Sequence, residues 1–206
     1  MPEEHAFLSA SGAHRWMHCT PSAMLEKQFP DNAGSYAVEG TLAHSMAEWK
    51  LRKQFEIMKP SDYKQQLVAM QADKLYQPEM DGYTDTYVDY IRSLCMAFPS
   101  TPYVVIEKRL DFSHIVPGGF GTGDCVILYG DTLHICDLKY GKGVPVSAEN
   151  NPQLRLYALG AIHEYCLLYD IKEVQMHIIQ PRLDNISTDT LTADALQQWG
   201  DSVQCH

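Results

Sequence analysis

No run of about 18 apolar residues occurs in this 206-residue chain, so the sequence offers no segment able to cross a bilayer as a helix. The opening Met1-Pro2-Glu3-Glu4 lacks the basic and apolar regions of a secretory leader, and an intracellular, cytoplasmic location is expected. Six cysteines occur without regular spacing, which argues against a disulfide framework and fits thiols kept in a reducing compartment. Cations are scarce as well: 16 Lys and Arg face 26 Asp and Glu, a formal net charge of −10. A nucleic-acid binder that works by bulk positive charge is therefore disfavoured, because long-range repulsion opposes a polyanion. There is no internal repeat and no low-complexity segment. The glycine-rich Pro117-Gly118-Gly119-Phe120-Gly121 is not followed by Gly-Lys-Ser/Thr, so it reads as a flexible loop and not as a phosphate cradle.

What remains is ordinary globular material with one informative segment. Hydrophobic residues make up 45% of the chain, enough for one domain spanning residues 1–206 with a sizeable core. Within it, Gly121-Thr-Gly-Asp124 leads into a short apolar strand, a turn at Gly130-Asp131, and a second strand, Thr132–Lys139, that ends in Asp137-Leu138-Lys139. So tight a turn sets the strands side by side and brings Asp124 near Asp137. Alternation along the second strand sends Asp137 and Lys139 to one face. Two converging carboxylates repel, and a proton or a divalent cation is the usual relief. Oxygen ligands favour the hard ions Mg²⁺ or Mn²⁺, which polarise a phosphoryl oxygen and acidify a bound water while Lys139 offsets developing charge.

Three other segments bear on that site. Pro102–Leu110 reads as a strand ahead of the hairpin and carries Glu107, a further metal ligand or a carboxylate supporting one. Gln153 and Tyr157 stand one turn apart at the start of an apolar helical stretch, with polar tips suited to a phosphate or nucleotide. Glu39-Gly40-Thr-Leu-Ala-His44 begins another helical pattern, and His44 there would add an imidazole to the metal shell and shift preference toward Mn²⁺.

Taken in order, Gly40-x-x-x-His44, Gly121-x-Gly-Asp124, Asp137-x-Lys139 and Gln153-x-x-x-Tyr157 resemble the PD-(D/E)XK nuclease superfamily, and within it the RecB-like exonuclease branch of recombination and phage-type nucleases. The resemblance covers residues 9–160. It implies an α/β fold with a restriction-endonuclease-like core: a central mixed β-sheet flanked by helices, preceded by an N-terminal helical region. It also implies that His44, Asp124 and Asp137 bind the ion, that Asp124, Asp137, Lys139 and Glu107 form the catalytic set, and that Gln153 and Tyr157 support substrate. The implied activity is Mg²⁺- or Mn²⁺-dependent hydrolysis of DNA, as an exonuclease in repair, recombination or phage DNA processing. DNA is the expected partner, together with a recombination or helicase protein. Two alternatives stay open: an idle DNA-end or protein-binding module that keeps the fold, and an unrelated metal hydrolase of a small phosphoester.

The segment from Ser9 to Ser22, with Cys19-Thr20-Pro21, resembles the opening of relatives in which one early cysteine joins three closely spaced late ones around an iron–sulfur cluster. Here only Cys205 follows Cys166. A cluster at Cys19 is therefore expected only in a longer chain, and the end at His206 reads as a truncation. The remaining pattern predicts helices over 9–28 with a break at Thr20-Pro21-Ser22, 39–56, 62–74, 78–98, 152–169 and 191–203. It also predicts a loop over 30–37 and a further strand over 172–181. The stripe of Tyr83, Tyr87, Tyr90, Ile91 and Leu94 is expected to pack in the core and not to stack bases.

Overall fold

The computed structural model describes residues 6–29 and 35–204. Two short helices, α1 (Ala13–His18) and α2 (Ser22–Glu26), come first, separated at the expected Thr20-Pro21 break. Three longer ones follow: α3 (Ser35–Phe55), α4 (Pro60–Gln71) and α5 (Glu79–Met96). A meander of β1 (Tyr103–Asp111), β2 (Phe120–Tyr129) and β3 (Thr132–Leu138) then leads through α6 (Pro152–Tyr165) to β4 (Glu173–Gln180). A single 3₁₀ turn (Pro181–Leu183), strand β5 (Asn185–Thr192) and helix α7 (Ala193–Gln204) complete the described chain.

The strands form one mixed sheet in the order β1-β2-β3-β4-β5, antiparallel throughout except for the parallel pair β3–β4. That parallel pair needs a crossover, and α6 supplies it. Asn151 caps α6 by accepting from the backbone N–H groups of Gln153 and Leu154, and Pro152 occupies the first turn, where its missing N–H costs nothing. Gly130, at φ 60, makes the two-residue turn between β2 and β3.

Period-two alternation divides the core. On one face Leu110, Val126, Leu128, Leu133, Ile135 and Met176 pack against α6, with α1 and α7 closing over it. The opposite face sets Ile106, Cys125, Ile127, Cys136 and Leu138 against Ala47 and Leu51 of α3 and Tyr87 and Ile91 of α5. Tyr87 and Ile91 are thus core residues, as their spacing predicts, whereas Tyr83 is half-buried. Lys50, 7% exposed, ties α3 to α5: its ammonium donates to Asp81 O, Thr84 Oγ1 and Asp85 Oδ1 at 2.7–2.9 Å.

Several boundaries differ from the sequence expectation. Helix α3 starts at Ser35, inside the span expected as a loop, whose residues 30–34 lie outside the described residues. Helix α6 stops at Tyr165 and leaves Leu167 and Leu168 exposed, so Cys166 caps the helix instead of lying within it. Phe120 and Gly121 belong to β2 and not to a flexible loop, because they pair with Asp111 and Leu110. Strand β5 was not anticipated. It is a sheet edge whose exposure alternates along Asn-Ile-Ser-Thr-Asp-Thr-Leu-Thr, with too few apolar residues to stand out. No helix among the described residues is long and apolar enough to cross a membrane.

Candidate metal centre

The ladder between β2 and β3 ends at Cys125 and Cys136, and the next residues on each strand, Asp124 and Asp137, are not paired. Here the strands part, and a side chain does the work of the missing backbone acceptor: Leu138 N–H donates to Asp124 Oδ2 at 2.7 Å. On the other side of β2, Glu107 lies between the pairs Ile106–Cys125 and Lys108–Gly123, opposite Asp124. Its φ is 50°, a left-handed conformation that costs a side chain of this kind about 1–3 kcal/mol. Helix α3 crosses this corner and brings His44 Nδ1 to 3.2 Å from Asp124 Oδ1. One ligand atom from each of His44, Glu107 and Asp124 then lies within 4.8 Å of the others.

Asp137 stands beside this group in a second cluster. Its side chain is 4% exposed, and Lys139 Nζ lies 2.9 Å from its Oδ2. Gln153 ties the cluster together: its Oε1 accepts from Lys139 Nζ at 2.7 Å, and its Nε2 donates to Asp137 Oδ1 and to Tyr157 Oη, each at 3.2 Å. The expected face-sharing of Asp137 and Lys139 is present. Gln153 and Tyr157, expected to support substrate, lie beside this cluster, where Gln153 bonds the carboxylate, the lysine and the tyrosine hydroxyl. Tyr157 is 5% exposed, and burial raises its hydroxyl above the ordinary range, so it stays protonated.

The glycines of the motifs have physical reasons. A Cβ at Gly121 would come within 2.7 Å of the Tyr157 ring, so the bare backbone of β2 is what lets that ring lie beneath the site. A Cβ at Gly40 would meet nothing within 4 Å. Gly40 lines a cavity of about 390 Å³ together with His44, Glu48, Glu107 and Lys139, and it keeps that space open.

The electrostatics follow from crowding. Burial opposes charge on Asp124, but His44 at contact distance, the Leu138 N–H and Lys139 outweigh it and hold the carboxyl below its ordinary value. Burial lifts Asp137 above its ordinary value, and nearby Asp124 adds to this, while Lys139 offsets part of the rise. Burial also opposes charge on His44, yet Asp124 and Asp137 overcome it and push the imidazole up to about 9. Among the protein's own groups, His44 and Lys139 therefore carry the positive charge that balances this acidic corner.

The donor set suits a hard divalent ion. Two carboxylates and one imidazole converge, and Asp137 Oδ2, buried next to them, accepts no hydrogen bond and is met only by the Lys139 charge. The expected ligand trio was His44, Asp124 and Asp137. The group with mutually close donor atoms is His44, Glu107 and Asp124, with Asp137 adjoining it. Glu107, expected as a further ligand or a supporting carboxylate, thus belongs to the converging group, carried there on a left-handed backbone.

Other supporting residues were not anticipated. Gln180, 1% exposed at the end of β4, donates to Gly141 O and Val144 O and accepts from Val146 N, so it fixes the loop that follows Lys139. His134 and His177, each 3% exposed, share a hydrogen bond at 3.2 Å beneath the sheet, and Tyr90 Oη lies 2.9 Å from His177 Nδ1. Buried glutamines and histidines carry no periodic signal, so sequence spacing passes over them. Cys19 and Cys166 are exposed and Cys95, Cys125 and Cys136 are buried, all as free thiols. Cys205 lies outside the described residues. The two ends of the fold do meet, since Trp16, Met17 and Thr20 share an apolar cavity with Val203 and Gln204.

Two comparisons with known proteins bear on this arrangement. A solved structure titled "Crystal structure of SSO0001" is similar at 15% identity, with 82% of this chain and 88% of that one covered and a TM-score of 0.31. The model of a family described as "Protein of unknown function (DUF2800)" matches residues 5–205. With nearly every described residue inside that match, the chain belongs to the DUF2800 family.

Proposed function

We propose that this protein is a Mg²⁺- or Mn²⁺-dependent deoxyribonuclease of the PD-(D/E)XK type, with a restriction-endonuclease-like core, acting as an exonuclease in DNA repair, recombination or phage DNA processing. The observation that carries the reading is the parted end of β2 and β3. There the donor atoms of His44, Glu107 and Asp124 converge beside an Asp137–Lys139 ion pair, at the floor of an open cavity.

In this reading His44, Glu107 and Asp124 hold the ion, with Asp137 Oδ2 turned toward the same corner. A bound divalent ion supplies Lewis acidity toward a phosphoryl oxygen and acidifies water. Lys139, a half-buried ammonium kept charged by Asp137, offsets negative charge gathering on the phosphoryl oxygens. Gln153 keeps Lys139 and Asp137 in register, and Tyr157 supports Gln153 from below. Leu138 N–H holds Asp124, so the carboxylate is preorganised before any ligand arrives. His44 must lose its proton to bind an ion, and that proton leaves to solvent through the open cavity.

The test is degradation of linear single- and double-stranded DNA under Mn²⁺ and Mg²⁺ titration, with Asp124→Ala and Lys139→Ala run alongside. Metal-dependent cutting by the wild type and its loss in both variants is the expected result. DNA binding with no cutting at any metal concentration would sink the enzyme reading and leave an idle DNA-end-binding module, one whose binding the net charge of −10 makes weak and partner-dependent.

A further inference from the structure

The central cavity does not stand alone. Past Tyr140 it opens into a second cavity of about 530 Å³, lined by Lys74, Lys142 and Arg182 with Tyr83 and Tyr140. Past Glu48 and Glu107 it opens into a third, also about 530 Å³, lined by those two carboxylates, Arg109, Phe120 and Tyr157. The three share walls in series, with the cavity lined by His44, Glu107 and Lys139 in the middle, and the two outer ones, its arms, differ in charge. The arm past Glu107 sets two carboxylates, of which Glu48 is paired with Arg52 at 2.8 Å, against one lining cation, Arg109, which lies 3.6 Å over the Phe120 ring. The arm past Tyr140 holds three cations against Glu39 and Glu79. Glu39 and Arg182 offset one another, Nη1 lying 2.9 Å from Oε1 and the guanidinium 4.7 Å over the Tyr140 ring, which leaves Lys74 and Lys142 against Glu79. In a chain of net charge −10, this is a local reversal next to the acidic centre.

The arm is built and not incidental. Tyr140 is 5% exposed and packs edge-on against Tyr83 at 6.2 Å, giving a firm apolar wall. Lys142 sits exposed on the loop after β3, and the buried Gln180 amide holds that loop on both sides of it, at Gly141 O and Val144 O. Lys74 approaches from the segment between α4 and α5. Cations on a ring around an apolar wall, in a space within the roughly 300–1,000 Å³ of small-ligand pockets, match one phosphate with its attached sugar and base.

We propose that the Tyr140 arm is a nucleotide subsite that seats a phosphate of a single DNA strand between Lys74, Lys142 and Arg182, so that the strand reaches the metal centre from this side only. The proposal rests on the nuclease reading for its substrate class, but it can be measured without cutting. Binding of a fluorescently labelled short oligothymidylate is followed by anisotropy against salt. Ca²⁺, which takes the same oxygen ligands in looser geometry, replaces Mg²⁺ or Mn²⁺. Lys74→Ala/Lys142→Ala should bind about tenfold more weakly at low salt and lower the slope of log K against log salt by about 0.7, the one single-strand phosphate that the two lysines seat. Lys172→Ala, an exposed lysine beside Asp170, should match the wild type in both respects. An unchanged slope in the double variant, an equal loss in Lys172→Ala, or no binding by the wild type would each overturn the subsite. Binding that depends on Lys74 and Lys142 in a protein that never cuts would keep the subsite and remove the nuclease. Cutting by a protein whose strand binding ignores both lysines would do the reverse.

Discussion

Acidification from neutral pH should destabilise this protein before its carboxylates begin to protonate, and His134 and His177 are the reason. Both rings are buried beneath the sheet, bonded to one another, with Phe98 packed on His134 and Tyr90 on His177. Burial drives both below the ordinary 6.5, to about 4; Glu173 slightly opposes the fall at His134, and His134 adds to it at His177. In the unfolded chain the same imidazoles take up protons near 6.5, so the unfolded state binds more protons throughout the interval between. The stability the pair contributes is fully present above pH 6.5 and is lost as pH falls toward 4. A gap of that size is worth about 3 kcal/mol per ring, and the shared hydrogen bond keeps the two from being independent, so the pair accounts for about 3–6 kcal/mol. About 2 kcal/mol per ring of this is already lost at pH 5, a large share of a whole-domain stability of about 5–15 kcal/mol. Urea unfolding followed by tryptophan fluorescence at about pH 7 and about pH 5 measures the loss directly. His134→Leu/His177→Leu should flatten the dependence, since Tyr90 is half-exposed and can turn its hydroxyl to water. Equal pH dependence in the wild type and the double variant would refute the reasoning. His44 acts in the opposite sense: with its value raised to about 9, its contribution is present below 6.5 and lost as pH rises through 9.

Three further outcomes are expected. Asp124→Ala should abolish metal-dependent activity and also cost about 1–3 kcal/mol in denaturant, because it leaves the Leu138 N–H without its acceptor. Gly40→Ala should stabilise helix α3 by about 0.5–1 kcal/mol while its methyl intrudes on the open cavity, so a higher melting temperature should come with a higher KM. Mn²⁺ at about a hundredfold over its Kd should stabilise the wild type by about 2.7 kcal/mol in thermal scans, a gain that His44→Ala and Glu107→Gln should lose.

Much of this could be read from the chain because the responsible signals are local. The β2–β3 hairpin follows from a two-residue turn between apolar runs, and the pairing of Asp137 with Lys139 follows from strand period alone. Helix α6 announces itself through Asn151-Pro152 and its apolar spacing. The failures share a different cause: they depend on what lies across space. Strand β5 is recognisable only as the partner of β4, and although Glu107 stands out as a candidate ligand, the backbone angle that turns it toward Asp124 is not encoded by its neighbours. Gln153 and Tyr157 are placed on one face by a helical count, which does not say what that face meets. They turn inward because Gly121 leaves room on β2 for the tyrosine ring. Gln180 and Lys50 show the same limit, since a buried polar residue is explained only by the groups that satisfy it.

The hydrogen bond from Leu138 N–H to Asp124 has a consequence for how such a chain can change over generations. A lineage that no longer needed the chemistry could not discard this aspartate freely, because the sheet would lose a staple at the point where β2 and β3 separate. Finding Asp124 in a relative would therefore say little about whether that relative carries out the proposed chemistry. Glu107 is the better witness: its left-handed backbone is a burden to folding, and a lineage released from function would be expected to replace it with glycine or asparagine first.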